Sequence, residues 1–325
     1  MKFIDFFAGM GGFTMGFQRA GHTPVGWCEI DKYAQKAYRA IHEPKGEWFH
    51  DDIRAVDPWE LPDADCYTFG FPCQSFSIAG KRGGFEDTRG TLFFEVMRLA
   101  KVRQPKILVA ENVAGLLNHD GGRTFGTIIN AMDELGYSAE WQVLNSKDFG
   151  VPQNRERVFI VGHLRGRSRP KVFPIRGTNQ KALKQLVGGS QGYRVYDAEG
   201  ISCTLASEAG GMGAKTGLYL MGATIDKPGN MDTCTIGVMF KGPSDISNTV
   251  RTGGKGSLTK KHNWDVINDG IRIRRLTPKE CFRLQGFPDW AFEKAKAAGI
   301  SDRQLYKIAG NSVTIGPVYE IAKRL

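Results

Sequence analysis

The sequence predicts a doubly wound α/β domain joined to a smaller, mostly β or irregular domain, and three observations predict it. Short apolar runs alternate with helix-period segments through the first half of the chain. Several of those runs end on a glycine, cysteine or acid, where a sheet of this kind borders its ligand crevice. Past Leu164 the helical period fades while glycine and basic residues accumulate.

The elements follow in order. Residues 2–7 read as a strand, 10–20 as a helix, 23–29 as a strand and 32–42 as a helix that Asp31 is placed to cap. Cys66–Gly70 continues the rhythm as a strand, followed by a helix over 91–103, a buried strand over Lys106–Glu111 and a helix ending at Gly136. Strands are expected near 138–144 and 156–163. Residues 165–270 carry fifteen Lys/Arg against eight Asp/Glu and 18 of the 41 glycines, with short β-prone pieces between Gly-rich turns. Within them Ile201-Ser-Cys-Thr-Leu205 and Ile246-Ser-Asn-Thr-Val250 form a weak repeat, each followed by a Gly-Gly pair. Helical patterns return after Arg275, and Leu305–Leu325 reads as a strand or loop followed by a helix.

A formal charge of +10 and a pI near 9.3 favour a polyanionic partner, with nucleic acid first. The chain has no run of 18 apolar residues and no signal-peptide layout, so a soluble, cytoplasmic protein without a membrane partner is expected. Six cysteines (Cys28, Cys66, Cys73, Cys203, Cys234, Cys281) include no C-x-x-C pair, which predicts neither a metal site nor a disulfide framework. At most one or two should act through thiol chemistry.

Six places along the chain carry candidate chemistry. The turn Phe7-Ala8-Gly9-Met10-Gly11-Gly12 lies between the first strand and helix, where glycines let backbone approach a nucleotide-like ligand, although its spacing is not G-x-G-x-x-G. Glu29 ends the second strand, at the distance where such folds bind ribose hydroxyls, and Asp52 ends the next apolar stretch. Gly70-Phe71-Pro72-Cys73-Gln74 presents a cysteine beyond a strand, in a loop ill suited to hiding a thiol. Glu111 closes the run Ile107-Leu108-Val109-Ala110, where a carboxyl is costly unless paired or protonated. Arg155 and Arg157 precede Val158–Gly162, and alternation puts both on one face.

Taken together with Gly310-Asn311-Ser312-Val313 and Arg275-Leu276-Thr277-x-x-Glu280, these segments resemble, in order, the bacterial DNA cytosine-5 methyltransferases. The resemblance is firm over 1–164 and 271–325 and partial between. It implies a Rossmann-like S-adenosylmethionine-dependent catalytic domain over 1–175, completed by 305–325, with a target-recognition domain at 176–274 and a hinge segment at 275–304. It implies that Phe7, Glu29, Asp52, Pro72, Leu92 and Asn311 line the cofactor site beside Gly9, Gly11 and Gly12, and that Cys73 is the nucleophile. Carbon 5 of cytosine is a poor nucleophile, so a thiolate must first add to carbon 6. Glu111 suits protonation of ring nitrogen 3, and Arg157, supported by Arg155, suits holding the carbonyl or a flanking phosphate.

A base inside a duplex must be extruded to be reached, and the loop Ala79–Phe85, with Lys81 and Arg82, resembles the one that closes over it. Gln191-Gly192-Tyr193-Arg194 resembles the recognition loop of members that read GC-rich sites. Gln191 would fill the vacated space, and Arg194 would read guanine or hold a phosphate. Arg251 and Lys255 on the second glycine loop are the next candidates. The implied partner is double-stranded DNA, acted on by a monomer, with any cognate restriction endonuclease a functional rather than physical partner. Three alternatives remain at this point: an RNA cytosine-5 methyltransferase, an inactive DNA-binding regulator and a nicotinamide-dependent oxidoreductase.

Overall fold

The computed structural model describes residues 1–71, 92–166, 171–177 and 276–325, together with the backbone of four short strands between them. Seven strands form a mixed sheet: β1 (Lys2–Phe6), β2 (Thr23–Cys28), β3 (Trp48–His50), β4 (Cys66–Gly70), β5 (Ile107–Val113), β6 (Tyr137–Asn145) and β7 (Glu156–Leu164), in the order β3-β2-β1-β4-β5-β7-β6. The first five run parallel, and β7 runs antiparallel to both β5 and β6. The reversal of strand order at β1 and β4 opens the crevice where such sheets take ligands.

Alternation along β1 sends Ile4 and Phe6 to one face and Phe3 and Asp5 to the other. The first face is covered by α3 (Leu92–Arg103) and α4 (Arg123–Glu134), through Phe93, Met97, Ile128 and Met132. On the second face α1 (Gly12–Arg19) and α8 (Ile315–Ala322) bring Phe13, Phe17, Val318 and Ile321 against Phe3, Val109 and Val161. A Cβ on Gly16 would meet Val318 Cγ1 at 2.5 Å, so a glycine in α1 sets how closely α8 approaches.

Asp31 caps α2 (Lys32–His42), accepting from the amides of Tyr33 at 2.8 Å and Ala34 at 3.1 Å. The segment expected to be a hinge holds α5 (Pro278–Leu284) and α6 (Asp289–Ala297), whose Cys281, Phe282, Ala291 and Ala295 share a core with Ala34 and Ile41 of α2. Thr277 and Glu280 form a reciprocal capping box at the start of α5. In place of the strand or loop expected from Leu305, α7 (Asp302–Asn311) precedes α8. Its apolar residues Leu305, Ile308 and Ala309 fall on one helical face, all buried. The second sheet is made of β8 (Gln185–Val187), β9 (Val195–Asp197), β10 (Leu218–Met221) and β11 (Arg272–Arg274), in the order β11-β10-β9-β8. Among the described residues no helix is long and apolar enough to cross a membrane.

Candidate active site

The turn after β1 is built from below by Asp5. Its buried carboxylate accepts from Thr14 N at 3.2 Å, Thr14 Oγ1 at 2.8 Å and Thr68 Oγ1 at 3.0 Å, tying the start of α1 to β1 and β4. Burial drives its pKa up to about 7, the hydrogen bonds only partly offsetting that. Above it Phe7 sits at φ 56° and Gly9 at φ 58°, and among the described residues a Cβ at Gly9 would meet nothing within 4 Å. The turn thus presents backbone without a side chain, the kind of surface a nucleotide-like ligand can approach closely. Gly11, at φ 86°, rests on His42, whose Nε2 donates to Met10 O at 3.1 Å and whose pKa burial lowers to about 4. Gly12 abuts the C-terminal segment, where a Cβ would lie 2.5 Å from Val313 O and 3.0 Å from Ser312 Oγ. Two glycine motifs 300 residues apart in sequence therefore meet, with exposed Asn311 beside them.

Glu29 follows β2. Its carboxylate accepts from Gly9 N at 2.8 Å and Asp31 N at 2.7 Å, and burial raises its pKa against those bonds. The Ile30 backbone N–H also bonds this carboxylate, so the backbone amides of Gly9, Ile30 and Asp31 hold it in place. Ile30 next to it is 63% exposed, a large apolar side chain left open beside a half-buried acid. Its place directly after the strand-ending acid is the sequence signal for it. Asp52 is held within its own loop, its carboxylate gripped by Arg54 through Nε at 2.9 Å and Nη2 at 2.6 Å, which pulls its pKa down. Leu92 begins α3 and packs partly against the core.

Glu111 and Arg157 come together. In register, Val113 faces Arg157 across β5 and β7, and because β7 runs backwards its first residues reach the carboxyl edge of the parallel strands. Arg157 Nε stands 3.0 Å from Glu111 Oε1, with both side chains only about one-seventh exposed or less (15% and 12%). The pair is close without hydrogen-bond alignment, so among the described residues Oε1 has no donor aimed at it. Gly70 is the β4 partner of Glu111, and a Cβ there would lie 3.4 Å from Oε2. Between them Asn112 donates from Nδ2 to Phe71 O at 2.7 Å, fixing the chain as it leaves β4 toward Pro72 and Cys73.

Arg155 diverges from Arg157. Lying one residue before β7, it is 3% exposed and turns inward, donating to Gly310 O at 3.2 Å and Ser312 O at 2.9 Å, the carbonyls on either side of Asn311. Burial and the neighbouring Arg157 lower its pKa to about 9, which leaves the guanidinium charged at neutral pH. Around it Ser146 Oγ bonds Thr314 Oγ1 at 2.9 Å, Thr314 Oγ1 bonds Gln285 Oε1 at 2.7 Å, and Gln153 Nε2 bonds Leu284 O at 2.8 Å. This buried polar network joins the loop before β7 to the C-terminal helices. Pro72, Cys73, Lys81, Arg82, Gln191, Arg194, Arg251 and Lys255 lie outside the described residues. Of the other cysteines, Cys28, Cys66 and Cys281 are buried, and burial pushes the Cys28 thiol up to about 12 and Cys66 well above its usual value.

The whole chain, residues 1–325, matches the family described as C-5 cytosine-specific DNA methylase. The chain belongs to that family. As a DNA cytosine methyltransferase it is 39% identical over 324 residues to the type II methyltransferase M.NgoBI of Neisseria gonorrhoeae, covering 100% of this chain and 92% of that one. It is 32% identical over 360 residues to the type II methyltransferase M.HhaI of Haemophilus parahaemolyticus, covering 99% and 93%. Among solved structures, a DNMT2 variant of Spodoptera frugiperda has the same fold at a TM-score of 0.67 and 17% identity, over 98% of this chain and 97% of that one. A methyltransferase of this family and fold uses S-adenosylmethionine as methyl donor. The glycine turn at Gly9, the backbone-anchored Glu29 carboxylate and exposed Ile30 suit a nucleoside-bearing ligand of this kind.

Proposed function

We propose that this methyltransferase acts on a cytosine extruded from duplex DNA at a specific sequence, through a covalent bond between Cys73 and ring carbon 6. The paired Glu111 and Arg157 carry the reading: a buried acid and a cation sit together at the edge where β4 leads, three residues past Gly70, to Cys73. The Cys73 thiolate adds to carbon 6 while Glu111 delivers a proton to nitrogen 3, so the electron pair collects at carbon 5 rather than on the ring as an anion. Arg157 donates to the cytosine carbonyl or adjacent phosphate and stays against Glu111 as the charge of that carboxyl changes. The bound cofactor supplies an electrophilic methyl group to carbon 5. Loss of the carbon-5 proton to water, with nitrogen 3 returning its proton to Glu111, then lets the ring expel Cys73 as thiolate.

Phe7, Gly9, Gly11, Gly12, Glu29, Asp52, Pro72, Leu92 and Asn311 would hold the cofactor, with Asp52 turning from Arg54 or sharing it. Residues 176–274 would read the site through Gln191, Arg194, Arg251 and Lys255, while Lys81 and Arg82 grip DNA beside the flipped base. The enzyme would act as a monomer, and the two relatives named, both type II methyltransferases, favour one working opposite a restriction endonuclease of the same specificity.

A duplex carrying 5-fluorocytosine tests the mechanism, because fluorine cannot leave as a proton does. The wild type should form a denaturation-resistant complex. Cys73→Ala should form none while binding duplex within about tenfold of wild type, or 1.4 kcal/mol. A covalent complex that persists in Cys73→Ala removes the thiol from the mechanism.

A further inference from the structure

We propose that residues 171–177 form a positioning strap, held by Glu140, Gln142 and Arg324, that fixes where the recognition segment leaves the catalytic sheet. The proposal rests on the reading above that residues 176–274 recognise DNA.

The strap lies on β6 without joining the strand ladder, and Val172, Phe173 and Ile175 bury their side chains in the core beneath α1 and α8. A backbone buried this way needs partners for its N–H and C=O groups, and side chains supply them. Glu140 accepts from Val172 N at 3.0 Å and Phe173 N at 3.1 Å. Gln142 accepts from Ile175 N at 2.8 Å and donates to Ile175 O at 2.9 Å. Arg324, just past the end of α8, donates to Val172 O and Pro174 O, both at 2.8 Å. Buried His163 on β7 holds Glu140 in turn, with Nε2 3.0 Å from Oε1. Three side chains therefore satisfy six backbone groups of a segment seven residues long.

The direction of the strap gives this clamp a role beyond packing. Glu140 meets residues 172 and 173, Gln142 meets 175, and Gly177 reaches the loop past the end of β6, where a Cβ would lie 2.3 Å from Asp148 Cβ. The strap climbs parallel to β6 and delivers the chain at the carboxyl edge, the edge that carries Glu111 and Arg157. Gln142 is two residues before Leu144, which pairs directly with Arg157, so about 7 Å of strand separates the strap's anchor from the level of the base-holding arginine. If the strap shifts along β6, the outlet of the recognition segment shifts against Arg157 by the same amount. Glu140, Gln142 and Arg324 are thus positioning residues for DNA, and none of them bonds the cofactor turn among the described residues.

Two variants of the full chain test this. Arg324→Ala removes two bonds at the solvent-exposed end, and Glu140→Ala/Gln142→Ala removes four. Active sites are counted by trapping on 5-fluorocytosine duplex, so that misfolded protein drops out of the comparison. Amide exchange should quicken at Val172, Phe173 and Ile175. The KM for duplex should rise roughly tenfold in the double variant and methylation should spread to near-cognate sites, with S-adenosylmethionine affinity and kcat per active site within about twofold of wild type. Quickened exchange with unchanged duplex KM and site preference would overturn the proposal. So would a fall in cofactor affinity in step with that for DNA, which marks general loosening. A wild-type chain that methylates no duplex would instead sink the reading on which the proposal rests.

Discussion

Replacing Gly11 with alanine separates backbone strain from packing in the cofactor turn. Gly11 has φ 86°, and a Cβ there would stand 2.0 Å from His42 Nε2 and 2.6 Å from His42 Cδ2. The left-handed backbone costs an alanine about 1–2 kcal/mol, and pressing a methyl into packed side chains costs about 1–3 more. The variant should lose about 3.5 kcal/mol in urea unfolding, a large share of the 5–15 kcal/mol typical of a folded domain. His42→Ala, which removes the ring and its bond to Met10 O, should lose about 2 kcal/mol. In the double variant the collision is gone and the backbone strain remains, so the loss should be about 3.5 kcal/mol, against about 5.5 for independent effects. Strictly additive losses would refute the collision and assign the whole effect to φ. Calorimetric titration of S-adenosylmethionine completes the test, because unchanged affinity in folded Gly11→Ala would take Gly11 out of the cofactor cradle.

Asp5 makes stability depend on pH. The folded chain keeps the Asp5 proton up to about pH 7, while an unfolded carboxyl releases it near 3.8, so the folded state binds more protons between those values and stability falls as pH rises through them. At 1.36 kcal/mol per pKa unit the loss reaches up to about 4 kcal/mol. Asp5→Asn, whose amide can still join Thr14 and Thr68, should flatten that slope in urea unfolding at pH 5, 6 and 8, and a variant that tracks the wild-type curve would contradict the assignment. Glu111→Gln should lower kcat by roughly 10²–10⁴ with cofactor affinity unchanged, since an amide has no proton to deliver to nitrogen 3. Loss of cofactor binding instead would show that the site is drawn wrongly. Arg194→Ala should relax preference at one position of the mapped methylation site if Arg194 reads a base. Uniform loss on all sites, with the salt slope reduced by about one, would mean phosphate contact.

Much of the sheet is legible because its strands are buried apolar runs broken by strong punctuation. Asp31 announces α2 by capping chemistry alone, and Glu111 stands out because a carboxyl closing a buried strand demands a partner. What could not be read is long-range. Period-2 alternation places Arg155 and Arg157 alike, but β7 begins at Glu156, so only Arg157 is governed by the pleat, and Arg155 follows the carbonyls of a segment 155 residues away. Arg275-Leu276-Thr277-x-x-Glu280 carried part of the family resemblance, yet its Thr277 and Glu280 work visibly as a helix cap. The clamp of Glu140, Gln142 and Arg324 left no local mark either, because ordinary polar residues on an edge strand and near a helix end acquire their meaning only when residues 171–177 lie across them.

The close contact of Gly12 with Val313 and of Gly16 with Val318 has a bearing on biosynthesis. Translation proceeds at about 5–20 residues per second, so α1 waits roughly 15–60 s for the stretch some 300 residues downstream that covers it. Through that interval Phe13 and Phe17 lack α8, and the glycine turn lacks the floor that Ser312 and Val313 provide. A nascent chain can therefore hold β4, β5 and β7, with Glu111 and Arg157, well before its glycine turn is complete.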